Sequence, residues 1–212
     1  MSELSFHFYE KLAYHKDTSG TVPKGSVLFI GDSITHQLFT EDVTANSINY
    51  GIGGDTTVGV LARLGTYQEP ISEAAAVVLA IGVNDMSRRS NGEIVANYSL
   101  ILDRLNSVPV FVSSILPIDE SYGRVGYSER ILSLNKSLKK LAGQRENVTY
   151  INNQVFLDQD GDGQLDSANH RGDGIHLSSA GLRVWAPSLR SALRLPEPQQ
   201  RYARQGAANS AF

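Results

Sequence analysis

The sequence predicts a doubly wound α/β fold, in which helices cover both faces of a parallel sheet. Short apolar runs alternate with longer amphipathic runs along the chain, as in successive β-α units. The short runs are rich in β-branched residues and nearly continuous in apolarity, which is typical of strands buried on both faces. The length of 212 residues suits one domain, arranged as a three-layer α/β/α sandwich.

The predicted strands are short, and polar or glycine residues follow each of them. They lie at 26–31, 47–51, 75–82, 108–117 and 148–152. Ligands of such sheets collect beyond the carboxyl ends of the strands. We therefore expect the functional residues in the loops that follow these runs.

Four longer runs have the spacing of helices, at 56–67, 91–107, 128–143 and 178–195. Ser90 and Glu93 have the spacing of a capping box before the second helix, and Gly143 is a candidate C-cap for the third. Pro187 predicts a kink or a break in the fourth, because proline lacks the N–H that a helix interior requires. The third helix is predicted to turn inward Ile131, Leu132, Leu134, Leu138 and Leu141.

Composition disfavours several classes of protein. Hydrophobic residues make up 41% of the chain and charged residues 19%, so a core can form. The net charge is -3 and no basic run occurs, which disfavours a nucleic-acid partner. The lack of cysteine removes disulfides, thiolate catalysis and cysteine metal sites. No run approaches the roughly 18 apolar residues of a membrane span, and the N-terminus lacks a signal-peptide pattern, so we expect a cytoplasmic protein.

We predict a single domain over residues 1–195, with residues 1–23 as an N-terminal extension that packs on it. Residues 196–212 are predicted to form a polar C-terminal tail, because this stretch has two prolines and many small or polar residues. The sequence leaves the oligomeric state open between a monomer and a homodimer.

Ser33 directly follows the first predicted strand and opens a helix. Serine is common at helix N-caps, so a structural cap is the alternative to a nucleophile. A backbone N–H at a helix start has no intrahelical partner and can help to bind an anion. A serine hydroxyl is a weak nucleophile, so a catalytic Ser33 would need a base.

The candidate bases are the five histidines, namely His7, His15, His36, His170 and His176. His176 has the best context, because Asp173 precedes it by three residues in a loop ahead of a helix. That spacing allows the carboxylate to bond one ring nitrogen while the other nitrogen faces a serine. The alternative is an aspartate that caps a turn beside a histidine.

An acyl-transfer site also needs hydrogen-bond donors for the developing oxyanion. The glycine-rich stretch at 49–57 follows the second strand, and glycine allows backbone N–H groups to approach a ligand closely. Asn84 follows the third strand and offers a side-chain amide. A tight turn and a loop cap are the alternatives. Because four polar motifs follow strands or open helices on one rim, the catalytic interpretation is favoured.

The chain resembles the SGNH (GDSL) hydrolases in four blocks, in order and spacing: GDS at 31–33, NYGIGGD at 49–55, GVND at 82–85 and DGIHL at 173–177. The amino-acid sequences of these blocks most resemble the branch that contains platelet-activating-factor acetylhydrolase catalytic subunits and bacterial lysophospholipase-like esterases. The resemblance implies the SGNH hydrolase fold, with a five-stranded parallel sheet of flavodoxin-like order. It also implies a serine esterase that hydrolyses carboxylic esters.

The same resemblance implies a role for each matching residue. Ser33 would be the nucleophile, His176 the general base and then the general acid, and Asp173 the group that orients His176. The backbone N–H groups of Ser33 and Gly54, with the side chain of Asn84, would form the oxyanion hole.

Gly54 is preferred to Gly53 as an oxyanion donor because the family glycine directly precedes the aspartate of its block, which is Asp55 here. Asp32, Asp55 and Asp85 are expected to hold the loops together rather than to take part in the chemistry.

Ile34, Val83 and Ile175 adjoin the candidate catalytic residues, and the resemblance implies that these positions close the acyl pocket. Their bulk predicts a short acyl group, acetyl to butyryl, with ordinary core packing as the alternative. The substrate is expected to be a small-molecule, lipid or carbohydrate ester whose alcohol part stays open. An acyltransferase and a non-catalytic carbohydrate- or lipid-binding module are the alternative functions.

The proposed chemistry needs no cofactor, but one acidic stretch resembles an EF-hand calcium loop. Asp158, Asp160, Asp162 and Asp166 occupy positions 1, 3, 5 and 9 of that pattern. Position 12 is Asn169 instead of the usual glutamate, which weakens the match. The alternatives are a calcium site and an acidic surface loop.

Overall fold

The computed structural model describes residues 4–194 and has the predicted α/β architecture around a five-stranded, all-parallel sheet. The strands are β1 (Val27–Gly31), β2 (Ser47–Gly51), β3 (Ala76–Ala80), β4 (Val110–Ser113) and β5 (Val148–Ile151). Their order across the sheet is β2-β1-β3-β4-β5, which confirms the flavodoxin-like topology. Every residue of β1 is buried, as a central strand covered on both faces requires.

The fourth strand is shorter than the apolar run at 108–117 predicts. It ends at Ser113, and the side chain of Asn135 then bonds both the N–H and the carbonyl of Ile115. These two bonds satisfy the backbone at Ile115 in place of a neighbouring strand.

Eight α-helices lie within the described residues. Their bounds are α1 (Phe6–Ser19), α2 (Ser33–Gln37), α3 (Thr57–Arg63), α4 (Gln68–Ser72), α5 (Asn91–Arg104), α6 (Tyr127–Ala142), α7 (Gln154–Leu157) and α8 (Ser179–Leu193). None of the helices between residues 4 and 194 is long and apolar enough to cross a membrane.

Helix α1 was not predicted as a helix, although Ser5 supplies a start signal by accepting a hydrogen bond from the N–H of Phe8. Phe8 and His15 of this helix are only 2% and 4% exposed, so the N-terminal segment packs closely on the remainder of the chain. The predicted C-terminal tail at 196–212 lies outside the described residues.

Several local predictions can be compared with the helices. The capping box of Ser90 and Glu93 is confirmed at the start of α5, and Gly143 caps the end of α6. The inward position of Leu132 is wrong, because its side chain is 38% exposed. A break at Pro187 is also wrong, since α8 continues through this residue. Pro187 lies on the exposed side of α8, whose buried face packs against the core.

Candidate active site

Ser33 occupies the first helical position of α2, directly beyond β1. Asp32 is the N-cap of this helix, because its Oδ1 accepts a hydrogen bond from the N–H of Ile34 at 3.0 Å. The alternative that Ser33 itself caps the helix is therefore wrong. Burial raises the pKa of Asp32 to about 7, so the cap carboxyl titrates near neutral pH.

The hydroxyl of Ser33 instead meets His176, which lies 143 residues later in the chain. The Nε2 atom of His176 is 2.9 Å from the Oγ of Ser33, and the Nδ1 atom is 2.6 Å from the Oδ2 of Asp173. The two nitrogens of one imidazole thus bridge a serine and a carboxylate. This arrangement can remove a proton from the serine hydroxyl while the carboxylate stabilises the charged ring.

The loop that carries Asp173 is organised around its carboxylate. Oδ1 accepts hydrogen bonds from the N–H groups of Ile175 at 3.0 Å and His176 at 2.9 Å. Burial by itself would raise the pKa of Asp173, but these bonds and the bond from the His176 ring lower it to about 2. Asp173 is therefore ionised at neutral pH and can hold the ring.

The candidate oxyanion donors lie on loops that follow three adjacent strands. In the sheet register, Gly31 of β1 pairs with Gly51 of β2 and with Ala80 of β3, so these strands end at one level. Gly54 has a φ of +74°, which favours glycine, and a Cβ there would meet open space. Its N–H has no acceptor among residues 4–194.

Asn84 is half-buried, and its side chain points towards the loop that contains Gly54 and Asp55. Its Nδ2 donates to the carbonyl of Asp55 at 2.9 Å, which fixes the orientation of the amide. An amide nitrogen carries two N–H groups, so a second donor is available to a ligand. The structure thus brings the amide of Asn84 to the loop of Gly54, beside the strand that leads to Ser33.

A fully buried arginine supports this group of loops. Arg63 bonds the Asp55 carboxylate at 2.8 Å, the carbonyl of Tyr50 at 2.8 Å and the carbonyl of Gly31 at 3.0 Å. It therefore ties together the ends of β1 and β2 and the loop before α3. Arg63 is not among the residues predicted to form the site; its signal in the sequence is an arginine within the apolar face of a predicted helix.

Asp85 supports the neighbouring loop in the same way. Its carboxylate accepts hydrogen bonds from the N–H and the hydroxyl of Thr57, at 2.9 and 2.6 Å, and from Arg89 at 3.1 Å. The carboxylates of Asp55 and Asp85 thus stabilise the loops by hydrogen bonds. Within residues 4–194, neither carboxylate has a hydrogen bond to Ser33 or His176.

A cavity lies beyond the ends of β1, β3 and β4, and its lining includes Asp32 and Ile34, the two sequence neighbours of Ser33, but not Ser33 itself. Of the three residues predicted to close an acyl pocket, Ile34 and Val83 line this cavity and Ile175 does not. The remaining lining is mostly apolar and includes Ile115 and Trp185. Its empty volume is about 250 Å³, part of which is open to solvent.

The other four histidines have different partners. His15 bonds the hydroxyl of Tyr67 at 2.8 Å, and His36 stacks on His7. His170 accepts a hydrogen bond from the N–H of Gly172 at 3.0 Å. Within the described part of the chain, only His176 has a hydrogen bond to Ser33.

The acidic loop brings together three of its four predicted calcium ligands. Oxygen atoms of Asp158, Asp160 and Asp166 lie within 4.8 Å of one another, and Asp162 is not part of this group. Backbone N–H groups of the loop already bond its carboxylates, for example Gly163 to Asp158 at 3.1 Å. Calcium binding by this loop stays a prediction.

Comparison with protein families gives one family model that covers most of the chain. Residues 29–184 match the GDSL-like lipase/acylhydrolase family. Among curated proteins, platelet-activating factor acetylhydrolase IB subunit alpha2 from Homo sapiens is 29% identical over 171 residues. That match covers 73% of this chain and 70% of the relative.

Solved structures share the fold. A Streptococcus pneumonia protein described as a platelet activating factor is 26% identical, with a TM-score of 0.77 and coverage of 88% of this chain and 92% of that chain. A catalytic mutant of an acetylxylan esterase from Geobacillus stearothermophilus is 19% identical, with a TM-score of 0.68 and coverage of 84% and 99%. The second likeness shows the fold alone.

Proposed function

This chain is an ester hydrolase of the GDSL-like lipase/acylhydrolase family, and we propose that Ser33, His176 and Asp173 carry out its reaction. The observation that carries the proposal is the continuous series of contacts from Asp173 through His176 to Ser33, at 2.6 and 2.9 Å. A serine, an imidazole and a carboxylate in this order are the groups that acyl transfer requires.

The reaction proceeds in two acyl transfers. The Oγ of Ser33 attacks the ester carbonyl as its proton passes to the Nε2 of His176, and the carbonyl oxygen becomes an oxyanion. The C–O bond to the alcohol then breaks, and His176 returns the proton to the departing oxygen. Water attacks the acyl-enzyme by the same route, which releases the acid and restores Ser33.

The proposed oxyanion donors are the N–H groups of Ser33 and Gly54 and the side chain of Asn84. The N–H of Ser33 lies at a helix start, where it has no intrahelical partner. The position of Gly54, with its free N–H, and the oriented amide of Asn84 support the same assignment. Donors fixed before the reaction lower the barrier because they need no rearrangement as charge develops.

We further propose that the acyl group is short, from acetyl to butyryl. The side chains that line the cavity near Ser33 are mostly apolar and buried, and Ile34 and Val83 are among them. Ile34 directly follows the nucleophile in the chain, and Val83 directly precedes Asn84. These side chains would exclude a long acyl chain from this cavity.

The test is a series of para-nitrophenyl esters from acetate to palmitate, with wild type and Ser33→Ala. We expect activity to be greatest with acetate to butyrate and to be lost in Ser33→Ala. Ser137→Ala, an exposed serine on α6, is the matched control and should retain full activity. Full activity of Ser33→Ala would refute the nucleophile assignment, and a preference for palmitate would refute only the short acyl group.

A further inference from the structure

Three basic side chains gather at the surface beside the candidate active site. His7 and Lys11 lie four residues apart on α1, so they share one face of that helix. His36 of α2 faces them, and its ring stacks on that of His7 with an interplanar angle of 9° and a centroid distance of 6.2 Å. We call His7, Lys11 and His36 the basic cluster.

The basic cluster adjoins both the nucleophile helix and the candidate oxyanion loop. His36 lies three residues after Ser33, so both side chains project from one side of α2. The Nε2 atom of His7 is 3.4 Å from the position that a Cβ on Gly53 would occupy, and Gly53 directly precedes Gly54. The cluster therefore lies towards the β2 side of Ser33, whereas the acyl cavity lies towards β3 and β4.

No carboxylate of the described chain forms an ion pair with the cluster. The partial desolvation of its ring, then Lys11, then His7 lower the pKa of His36, so these two neighbours oppose its protonation. The two histidines are exposed and Lys11 is half-buried, so the core does not depend on them. Basic groups that repel one another are stabilised when an anion binds among them.

We propose that the basic cluster is a subsite for an anionic group, a carboxylate or a phosphate, on the alcohol part of the ester substrate. This inference rests on the proposed function, because it assumes that Ser33 attacks the ester while the acyl group enters the cavity. The alcohol then extends away from the acyl cavity, towards His7 and His36. An anion there would receive hydrogen bonds from the two rings and from the ammonium of Lys11.

The test compares two acetyl esters that differ only in charge, para-acetoxybenzoate and the neutral para-acetoxybenzamide. The measured quantity is the ratio of their kcat/KM values, anionic over neutral. Steps that depend on His176 are common to both substrates and largely cancel in this ratio. A third ester, para-acetoxyphenyl phosphate, reports whether a phosphate is preferred to a carboxylate.

The variants remove the cluster without entering the core. We expect Lys11→Gln to lower the ratio about threefold, which is the effect of losing one exposed charge interaction. The triple variant, which combines Lys11→Gln with His7→Gln and His36→Gln, should lower the ratio about tenfold. Hydrolysis of the neutral ester should stay within about twofold of wild type. Lys16→Gln removes an exposed charge from another face of α1 and should leave the ratio unchanged.

The ratio should also depend on pH. Lys11 and His7 lower the pKa of His36, His15 also interacts with it electrostatically, and the His36 ring loses its proton as pH rises. The ratio in wild type should therefore fall as pH rises through the pKa of His36, which lies below the ordinary histidine value. In the His7→Gln/His36→Gln double variant, the ratio should change little over the same range.

Three outcomes would overturn the subsite. They are an unchanged ratio in the triple variant, an equal loss with both esters, and cluster-dependent binding to phosphatidylglycerol vesicles with no effect on the soluble esters. Failure of the proposed function looks different. In that case Ser33→Ala would cleave para-acetoxybenzamide as fast as wild type, whatever the ratio.

Discussion

At the scale of single residues, Ser33 differs from an ordinary serine at a helix start because its hydroxyl bonds a histidine and not the helix backbone. A capping serine bonds a backbone N–H two or three residues later. Here Asp32 takes that position, which leaves the hydroxyl of Ser33 to His176. One helix start thus carries both its structural cap, Asp32, and the proposed nucleophile, Ser33.

Asp173 is predicted to orient His176, and Asp173→Asn tests this. The asparagine amide cannot hold the imidazole in the tautomer that accepts the proton of Ser33, so we expect kcat to fall by about 10⁴. Initial rates with acetyl esters measure the effect. The thermal midpoint should change little because the side chain is 45% exposed. A loss of less than about tenfold would show that His176 does not need this carboxylate.

Asn84→Ala tests the oxyanion role of the side-chain amide. We expect kcat to fall by 10² to 10³, roughly 3–4 kcal/mol of transition-state stabilisation, with a much smaller change in KM. Asn152→Ala, an exposed asparagine beyond β5, is the control and should behave as wild type. An increase in KM alone would contradict a role confined to the transition state.

At the scale of elements, the candidate site depends on loops held at the ends of adjacent strands. Arg63 belongs to α3, but it bonds the carbonyls of Gly31, the last residue of β1, and of Tyr50, the penultimate residue of β2, as well as the Asp55 carboxylate. Both Arg63 and Asp55 have side chains that are 0% exposed. Breaking such a pair leaves one buried charge without its partner, which costs more than the pair itself contributes.

A double-mutant cycle on Arg63 and Asp55 tests this interdependence. We expect Arg63→Met to lower the free energy of unfolding by about 3–5 kcal/mol, because the Asp55 carboxylate loses its partner. Arg63→Met combined with Asp55→Asn should lose less than the sum of the two single changes. Urea denaturation measures each value. Strict additivity would show that the two side chains act independently.

At the scale of the whole molecule, α1 contributes a buried histidine to the interior. His15 bonds the hydroxyl of Tyr67, which in turn accepts a hydrogen bond from Arg63 at 2.8 Å. Burial first, and then the charges of Arg63 and Lys11, lower the pKa of His15 from 6.5 to about 3. The N-terminal helix is thus coupled through His15 to the arginine that supports the candidate site.

This coupling predicts how stability depends on pH. Below pH 6.5 the unfolded chain binds a proton at His15, whereas the folded protein does so only near pH 3. The free energy of unfolding therefore falls as pH is lowered through this interval. The amide of Asn can also hydrogen-bond the hydroxyl of Tyr67 but does not titrate, so His15→Asn should remove this component.

The measurement is urea denaturation of wild type and His15→Asn at several pH values. Between pH 6.5 and about pH 4, wild type should lose roughly 3 kcal/mol more than the variant. Other titrating groups, including Asp32, are present in both proteins and cancel in the comparison. Parallel curves would show that His15 is not kept neutral by the fold.

Much of the fold was predictable because strands and helices leave local patterns. The buried strand β1 appeared as a continuous apolar run, and the capping box of α5 as two residues at fixed spacing. Predictions failed where a distant group intervened. Beyond the end of β4, the side chain of Asn135 bonds the backbone of Ile115 where a longer strand was predicted. Leu132 is exposed, although the spacing of apolar residues in its helix predicted burial.

By itself the sequence determined the elements, the family blocks and the residue types needed for acyl transfer, since these depend on neighbours a few positions away. Only the tertiary structure decided that Ser33 meets His176 across 143 residues, that Asp32 is the cap, and that Arg63 joins the loops. It also brought His7 onto His36. Such contacts depend on strand order and on long-range packing, which no short stretch of the chain specifies.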